Sequence, residues 1–271
     1  KSQIEHSISQ VRKRDGSVSN FNRDKILNAI YKAFTASNKP DKELAINLAD
    51  GVLTKLTEHG FSSENPPSVE SIQDLVESTL IDQGHSDIAK SYILYRHERR
   101  KVREEKMKVL NTKKLDSVGK SFDINCLRVM ASRYLFRDGK NEIIEKPSEL
   151  FERVAVLVSI SDLIRDSYLF TKDGGISQNL EEAAEYLKKL DDFNYKFKIG
   201  KYYLNKWHFR CLINCYLDLA KQGMMKVSFK ELLTMLASKK FDAYADRISE
   251  YYELMTSQDF LPNSPTMMNA G

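Results

Sequence analysis

Four basic side chains near the start of the sequence have types and spacing suited to holding a polyphosphate. Lys13 and Arg14 precede an Asp-Gly turn, and Arg23 and Lys25 open the next helical pattern. A helix N-terminus offers free N–H groups and the positive end of the helix dipole, and both favour phosphate. These residues predict a polyphosphate site; the alternative is a surface hairpin with ordinary lysines. The sequence has no Walker-type glycine loop and no dinucleotide-binding fingerprint, so a nucleotide would need another kind of site.

The three cysteines are the other residues that could do chemistry. Cys211 and Cys215 are four residues apart on a predicted helix and therefore face the same way, while Cys126 is distant in sequence. No second pair accompanies them, and His208 alone does not complete a metal site. We therefore expect buried structural thiols rather than a metal site or a redox pair. A low, odd count excludes a disulfide scaffold and favours a reducing compartment, which predicts a cytoplasmic protein.

Helices must position these residues, because glycine (11) and proline (6) are scarce in the 271 residues. Near the start, Asp15-Gly16 between two short alternating runs predicts a β-hairpin with a type I′ turn, in which both residues have positive φ. Four helical patterns follow. The residues expected to cap the first, third and fourth are Asn22, Ser68 and either Ser86 or Asp87, and the second is expected to open at Pro40 and Asp41. A hairpin cannot be stable alone and must pack on these helices.

The fourth helical pattern continues into a basic run, with eight basic and three acidic residues between positions 90 and 108. The run predicts either a solvated helix extension or a contact for nucleic acid. The net charge of +4 is too mild to favour nucleic acid by itself. Further helices are expected beyond residue 121, one with Pro147 in its first turn and one capped by Ser228. The fold class is mainly α, and no apolar run is long enough to span a membrane.

Three blocks in the first hundred residues resemble the ATP-cone, the small allosteric nucleotide-binding domain at the N-terminus of many ribonucleotide reductases. The blocks lie at 11–30, 69–77 and 89–96, in the family's order. The resemblance implies a short β-hairpin capping a four-helix bundle that binds ATP or dATP. The positions it assigns to the nucleotide are Lys13, Arg14, Val18, Ser19, Asn20, Phe21, Asn22, Arg23, Asp24, Lys25, Val69, Lys90 and Arg96.

Within that set, the resemblance gives the charged and apolar residues different tasks. Lys13, Arg14 and Lys25 would neutralise phosphates, and Val18 and Phe21 would border the base or ribose. On the fourth helix, Lys90 and Arg96 would add phosphate contacts.

The second half is also similar to ribonucleotide reductases, in the helical region that precedes their catalytic barrel. The blocks that carry the similarity are 120–128, 133–135, 145–155 and 261–271. By this match Ser264 binds the phosphate of the ribonucleotide substrate. The sequence of these blocks is most like that of the adenosylcobalamin-dependent class II branch, whose catalytic cysteines lie in an α/β barrel. None of the three cysteines here falls at those positions, so the resemblance implies a chain that is inactive by itself.

The expected organisation is an N-terminal arm at 1–9, an ATP-cone at 10–100, a basic linker at 101–121, a helical domain at 122–259 and a segment leading into the barrel at 260–271. The expected function is the regulatory N-terminal portion of a ribonucleoside diphosphate or triphosphate reductase. Its partners would be nucleotides, the remainder of the catalytic subunit and further copies in an oligomer, with adenosylcobalamin bound by the complete enzyme. The alternatives are a nucleotide-sensing regulator that binds nucleic acid and a helical module that docks on a protein partner.

Overall fold

The computed structural model describes residues 8–192, 194 and 196–269. These residues form twelve α-helices and two small antiparallel hairpins, so the fold is mainly α, as predicted. The chain divides into two compact units, Lys1–Glu105 and Lys106–Gly271. Most of the predicted arm at 1–9, and Ala270 and Gly271 of the predicted barrel-leading segment, lie outside the described residues.

The first unit holds a hairpin and four helices. Its elements are β1 (Gln10–Arg12), β2 (Val18–Asn20), α1 (Arg23–Ala36), α2 (Lys42–Glu58), α3 (Val69–Asp82) and α4 (Ser86–Val109), the last of which runs past residue 105. Ile30, Leu48, Leu56 and Leu80 have no exposed surface and form the centre of its core. Apolar residues at helical spacing thus bury one face of each helix.

The predicted caps of α1 and α3 form, and α2 begins where predicted, with Asp41 as its cap. The side chains of Asn22, Asp41 and Ser68 accept hydrogen bonds from backbone N–H groups in the first turns of α1, α2 and α3. The prediction that Ser86 or Asp87 caps α4 is wrong. The helix already includes Ser86, because the carbonyl of His85 accepts the first helical hydrogen bond, from the N–H of Ala89.

The hairpin forms where predicted, with Val11 opposite Ser19, but its turn differs from the expected type I′. Only Gly16 has a positive φ, 81°, whereas Asp15 does not. The N–H of Gly16 donates to the carbonyl of Lys13 at 3.0 Å, and the N–H of Lys13 donates to the carbonyl of Ser17 at 2.7 Å. Three residues rather than two therefore lie between that pair, which is typical of a type I turn followed by a left-handed glycine.

The second unit is built from helices and one small hairpin. Its elements are α5 (Ser117–Ser121), α6 (Ile124–Arg133), α7 (Pro147–Leu163), α8 (Leu180–Lys188), β3 (Lys198–Ile199), β4 (Tyr202–Tyr203), α9 (Lys206–Lys221), α10 (Phe229–Ala237), α11 (Tyr244–Thr256) and α12 (Ser264–Asn269), with a 3₁₀ turn at Leu190–Asp192. Pro147 is the first helical residue of α7, and Ser228 caps α10 with a capping box, as predicted. Phe122, Phe151 and Tyr216 lie in its core.

The segment 101–121, expected as a linker, contains helix and core residues. Leu110, Leu115 and Val118 are buried in the core of the second unit. The ammonium of Lys106 is buried as well and donates to the carbonyl of Lys120 at 2.9 Å and to that of Phe122. This lysine therefore binds carbonyls at the end of α5, which a basic run in the sequence does not reveal. In the described part of the chain, no helix is both long and apolar enough to cross a membrane.

Candidate functional site

A groove of about 320 Å³ lies between the β1–β2 hairpin and the helices of the first unit. That volume is in the range of small-molecule sites. The residues that line it are Val11, Lys13, Ser19, Asn20, Phe21, Asn22, Lys25, Ile26, Ala29, Val69, Ile72, Gln73, Val76 and Tyr92. Its floor is apolar, and its polar groups come mainly from the hairpin and the start of α1.

Backbone hydrogen bonds fix the hairpin as one wall of this groove. The N–H of Arg12 donates to the carbonyl of Pro67 at 2.9 Å, and Arg12 pairs with Ser68 as an isolated parallel bridge. The hairpin is therefore attached to the chain just before α3, the helix that supplies Val69. Val11 and Lys13 both line the groove, as expected for residues two apart along an extended segment.

The charged residues of the groove are all basic. Lys13 and Lys25 are exposed at its rim, and no carboxylate is among the residues that line it. Lys25 also lies in the first turn of α1, where the helix dipole favours an anion. The groove thus combines an apolar floor with a positive rim.

Two further polar groups on the helices give the groove directional hydrogen bonding. Burial raises the pKa of Tyr92 to about 12, so its hydroxyl keeps its proton at neutral pH. The amide oxygen of Gln73 accepts from the guanidinium of Arg14 at 3.1 Å, which orients that amide. Together with Asn20, these groups can donate to and accept from a heterocyclic base.

The structure brings together seven of the thirteen predicted nucleotide residues. Those in the groove are Lys13, Ser19, Asn20, Phe21, Asn22, Lys25 and Val69. Among the others, Val18 is 49% exposed and Lys90 lies exposed on α4. Arg23 is ion-paired with Asp50, with Nη2 and Oδ1 2.5 Å apart. Asp24 donates its backbone N–H to the capping side chain of Asn22 and is not among the residues lining the groove.

Arg14 and Arg96 lie instead in a neighbouring groove of about 340 Å³, which shares Gln73 with the first. Arg14 is ion-paired with Glu70 on α3. Arg96 donates to Asp74 at 2.8 Å and to Glu77 at 2.6 Å.

Arg100, further along the basic run, pairs with Glu104 at 3.9 Å. Arg96 and Arg100 are thus each matched by a carboxylate within the unit. For these two of the eight basic residues, the pairing favours a solvated helix extension over a polyanion stripe.

Sequence reasoning missed half of the groove. The residues that it did not assign are Val11, Ile26, Ala29, Ile72, Gln73, Val76 and Tyr92. Most have the spacing of ordinary core residues, and Val76 is 1% exposed. The available signal was the block 69–77 of the resemblance, in which Ile72 and Val76 lie one turn apart on one face of the helix.

In the second unit, Ser264 lies in a polar cluster connected to a buried ion pair. Its hydroxyl is 2.7 Å from the hydroxyl of Tyr134. The carbonyl of Tyr134 accepts from Arg153 at 2.6 Å, and Arg153 is ion-paired with Glu145 at 2.6 Å. Arg153 also donates to the carbonyl of Met267 at 3.3 Å in α12. The segment around Ser264 is therefore held by Tyr134 and Arg153.

His208 is a buried structural histidine. Its Nδ1 accepts from the N–H of Asn205 at 3.1 Å, so its Nε2 donates to the carbonyl of Arg153 at 2.8 Å. Burial lowers the pKa of His208 to about 4, which keeps the ring neutral. In residues 8–192, 194 and 196–269, no cluster of three or more His, Cys, Asp or Glu side chains could hold a metal ion.

The three cysteines carry free thiols, and all three are half-buried rather than fully buried. Each packs against the core of the second unit. The Sγ atoms of Cys211 and Cys215 are 3.9 Å apart on α9.

Comparison with known families gives two matches that together cover most of the chain. Residues 9–101 match the family described as the ATP cone domain, and residues 120–271 match the ribonucleotide reductase all-alpha domain. The groove lies wholly within the first matched region, and Ser264 and the Arg153–Glu145 pair lie within the second.

Among curated proteins, the chain is similar to a vitamin B12-dependent ribonucleoside-diphosphate reductase of Thermoplasma acidophilum. The identity is 35% over 97% of this chain and 31% of the relative. A vitamin B12-dependent reductase of Mycobacterium tuberculosis is 28% identical over 67% of this chain and 24% of the relative. The alpha subunit of the reductase of Chlamydia trachomatis is 36% identical over 40% of this chain and 11% of the relative. The chain therefore spans about a third or less of the length of these relatives.

Proposed function

This chain belongs to the ribonucleotide reductase family, with an ATP cone followed by the all-alpha domain, and on that premise we propose that its first unit binds ATP and dATP in the groove beneath the hairpin. The base would lie on the apolar floor against Phe21 and Ile72. The phosphates would lie at the rim, beside Lys13 and Lys25.

The observation that carries this proposal is the distribution of charge around the groove. The charged residues that line the groove are two exposed lysines, Lys13 and Lys25, no carboxylate is among the lining residues, and most of the remaining lining is apolar. A nucleoside triphosphate has the matching distribution, with a flat base at one end and three charged phosphates at the other. The first turn of α1 adds a helix dipole at the same rim.

Titration calorimetry of the chain with ATP and with dATP tests this assignment. We expect the double substitution Lys13→Ala and Lys25→Ala to weaken binding by more than tenfold, about 1.4 kcal/mol. The matched control is Lys32→Ala with Lys42→Ala, which removes two exposed charges from the same unit outside the groove. Binding that is absent from the unsubstituted chain, or lost equally in both pairs, would contradict the proposed site.

We further propose that the nucleotide acts as an allosteric effector of a longer enzyme. In the family that the chain resembles, ATP in the cone permits activity and dATP suppresses it through subunit association. Such an effect requires that each nucleotide bind the two association states with different affinity. The longer protein should therefore change its oligomeric size between ATP and dATP, as sedimentation would measure, and the Lys13→Ala, Lys25→Ala variant should not.

The proposed reaction of that longer enzyme is the reduction of ribonucleotides to deoxyribonucleotides, and we assign no catalytic residue to this chain. Adenosylcobalamin would supply the radical chemistry in the complete enzyme. A groove in the second unit, of about 510 Å³, is the size for a drug-like ligand rather than for a corrin with its nucleotide tail. We propose that the rest of the enzyme holds the cobalamin.

Ser264 is proposed to contact the substrate phosphate. Its hydroxyl is hydrogen-bonded to that of Tyr134, which orients it. In the complete enzyme, Ser264→Ala should raise KM for the ribonucleotide, whereas Ser257→Ala, which removes a hydroxyl just after α11, should leave KM unchanged. An unchanged KM in both variants would remove Ser264 from the substrate site.

A further inference from the structure

Tyr134 and Ser264 meet through their side-chain hydroxyls, although 130 positions separate them in the sequence. The two oxygens are 2.7 Å apart, and both residues are half-buried. Within the described part of the chain, neither hydroxyl has a second hydrogen-bond partner. One hydroxyl must donate to the other, and the one that accepts keeps its own proton for a further acceptor.

The chemistry of the two hydroxyls favours Tyr134 as the donor. A phenol is more acidic than an aliphatic alcohol, so it is the stronger donor, and its oxygen is the weaker acceptor because its lone pairs are delocalised into the ring. The second unit contains another pair of this kind, Tyr202 and Ser249, with their oxygens 2.8 Å apart. Ser249 donates its one proton to the carbonyl of Ala245 at 3.0 Å, so Tyr202 must donate to Ser249. The direction in that pair supports the same direction between Tyr134 and Ser264.

We propose that Tyr134 is a positioning residue for the substrate phosphate: it donates its proton to Ser264 and leaves the proton of Ser264 for a phosphate oxygen, a role that rests on the proposed contact between Ser264 and that phosphate. A serine hydroxyl without a partner rotates about its C–O bond. Here the rotation that turns the Ser264 proton toward Tyr134 would place two protons between the two oxygens. The Ser264 proton therefore points away from Tyr134, where it can meet an acceptor.

One buried guanidinium links the two backbone segments that carry this hydroxyl pair. Arg153 donates to the carbonyl of Tyr134 at 2.6 Å and to the carbonyl of Met267, three residues after Ser264, at 3.3 Å. Met267 is itself buried, and Glu145 pairs with the guanidinium at 2.6 Å. The spacing of the two hydroxyls thus depends on buried groups, whereas Ser264 itself is only half-buried and can be reached by a ligand.

The kinetic signature follows from where the phosphate lies relative to the reaction. The proposed reduction takes place on the ribose and leaves the phosphate unchanged, so phosphate contacts stabilise the bound substrate and the transition state equally. Loss of such a contact raises KM and leaves kcat unchanged. Removing the Tyr134 hydroxyl should weaken binding by the worth of one neutral hydrogen bond, about fivefold in KM. A residue that served only the fold would not produce this division between KM and kcat.

The test is steady-state kinetics of the complete enzyme, supplied with adenosylcobalamin and a dithiol reductant, on cytidine diphosphate and cytidine triphosphate. Tyr134→Phe should raise KM by about fivefold at unchanged kcat. The matched control is Tyr202→Phe, which removes the hydroxyl of the other tyrosine–serine pair and should leave KM unchanged. Calorimetry with the same nucleotides, without cofactor or turnover, should show the same loss of affinity in Tyr134→Phe.

A double-mutant cycle shows whether Tyr134 acts through Ser264. Ser264→Ala should raise KM, and Tyr134→Phe should add nothing in that background. If Tyr134→Phe raises KM by the same factor with and without Ser264, the tyrosine acts independently and the proposal is overturned. It is also overturned if Tyr134→Phe leaves KM unchanged while Ser264→Ala raises it, a result that would leave the proposed role of Ser264 intact. An unchanged KM in Ser264→Ala would remove that role itself, and the role of Tyr134 with it.

Discussion

Replacing Glu145 by Gln should strongly destabilise the second unit, because it leaves a buried arginine without its counter-charge. The side chains of Glu145 and Arg153 are each 6% exposed. The carboxylate accepts from Nε of Arg153 at 2.6 Å, from its Nη2 at 3.2 Å, and from the N–H of Phe136 at 3.0 Å. The substitution keeps the size of the side chain and removes only the charge and one acceptor.

The expected cost is about 3 kcal/mol, the lower end of the range of 3–5 kcal/mol for breaking a buried ion pair from one side. The lower end applies because Arg153 keeps its bonds to the carbonyls of Tyr134 and Met267, and its guanidinium lies 4.2 Å from the centre of the Phe136 ring. The amide oxygen of Gln can still accept one hydrogen bond. Its NH₂ group, however, would then face the N–H of Phe136, donor against donor.

Urea unfolding measures this cost, and the single tryptophan of the chain, Trp207, reports on the second unit alone. With a denaturant slope of about 2 kcal/mol per molar, the unfolding midpoint should fall by about 1.5 M. The control is Glu149→Gln. Glu149 pairs with Lys146 at 2.9 Å, but the two side chains are 48% and 62% exposed.

An exposed pair contributes at most about 1 kcal/mol, and Gln preserves the capping box at the start of α7. A midpoint for Glu145→Gln that matches the Glu149→Gln control would refute the claim that the buried charge needs its partner.

Three further outcomes follow from the same structure. Burial lowers the pKa of His208 to about 4, so the second unit should be fully stable above about pH 6.5 and lose about 3 kcal/mol of unfolding free energy as pH falls to 4. The loss levels off there, because the folded ring also binds a proton. In urea unfolding, His208→Gln should lack this dependence on pH. Gly16→Ala should weaken ATP binding in calorimetry, since φ of 81° costs an L side chain about 1–2 kcal/mol, and Gly16→Asn should weaken it less. Because the net charge is only +4 and Arg96 is already paired with carboxylates, we expect no salt-dependent DNA binding in a fluorescence anisotropy titration. A steep salt dependence would restore the nucleic-acid alternative.

Local signals made most of the fold predictable. A capping residue such as Asp41, or a proline at the start of a helix such as Pro147, acts on the backbone within three residues of itself. The type of the hairpin turn was not predictable from Asp15-Gly16, because the same dipeptide serves two-residue and three-residue loops. The burial of Lys106 was equally hidden, since its partners are carbonyls of α5, more than ten residues away.

The candidate groove was half predictable for a related reason. Its rim consists of lysines and polar residues at a hairpin and at the start of a helix. Basic residues at a helix N-terminus indicate an anion site in the sequence itself. Its floor consists of residues such as Ile72 and Val76, whose spacing is the same whether a helix faces the core or a ligand. Only the position of the hairpin over α3 distinguishes the two cases, and that position depends on the backbone bond between Arg12 and Pro67.

This division between rim and floor makes binding separable from folding. Lys13 and Lys25 are exposed, and in the described part of the chain neither forms an ion pair, so their replacement should cost the first unit little stability. Val76 is buried, and truncating it would weaken the core and the groove together. A loss of nucleotide affinity with an unchanged unfolding midpoint therefore identifies the rim as a ligand site. If truncation of Val76 lowers both the nucleotide affinity and the unfolding midpoint, the result shows only that this floor residue belongs to the core.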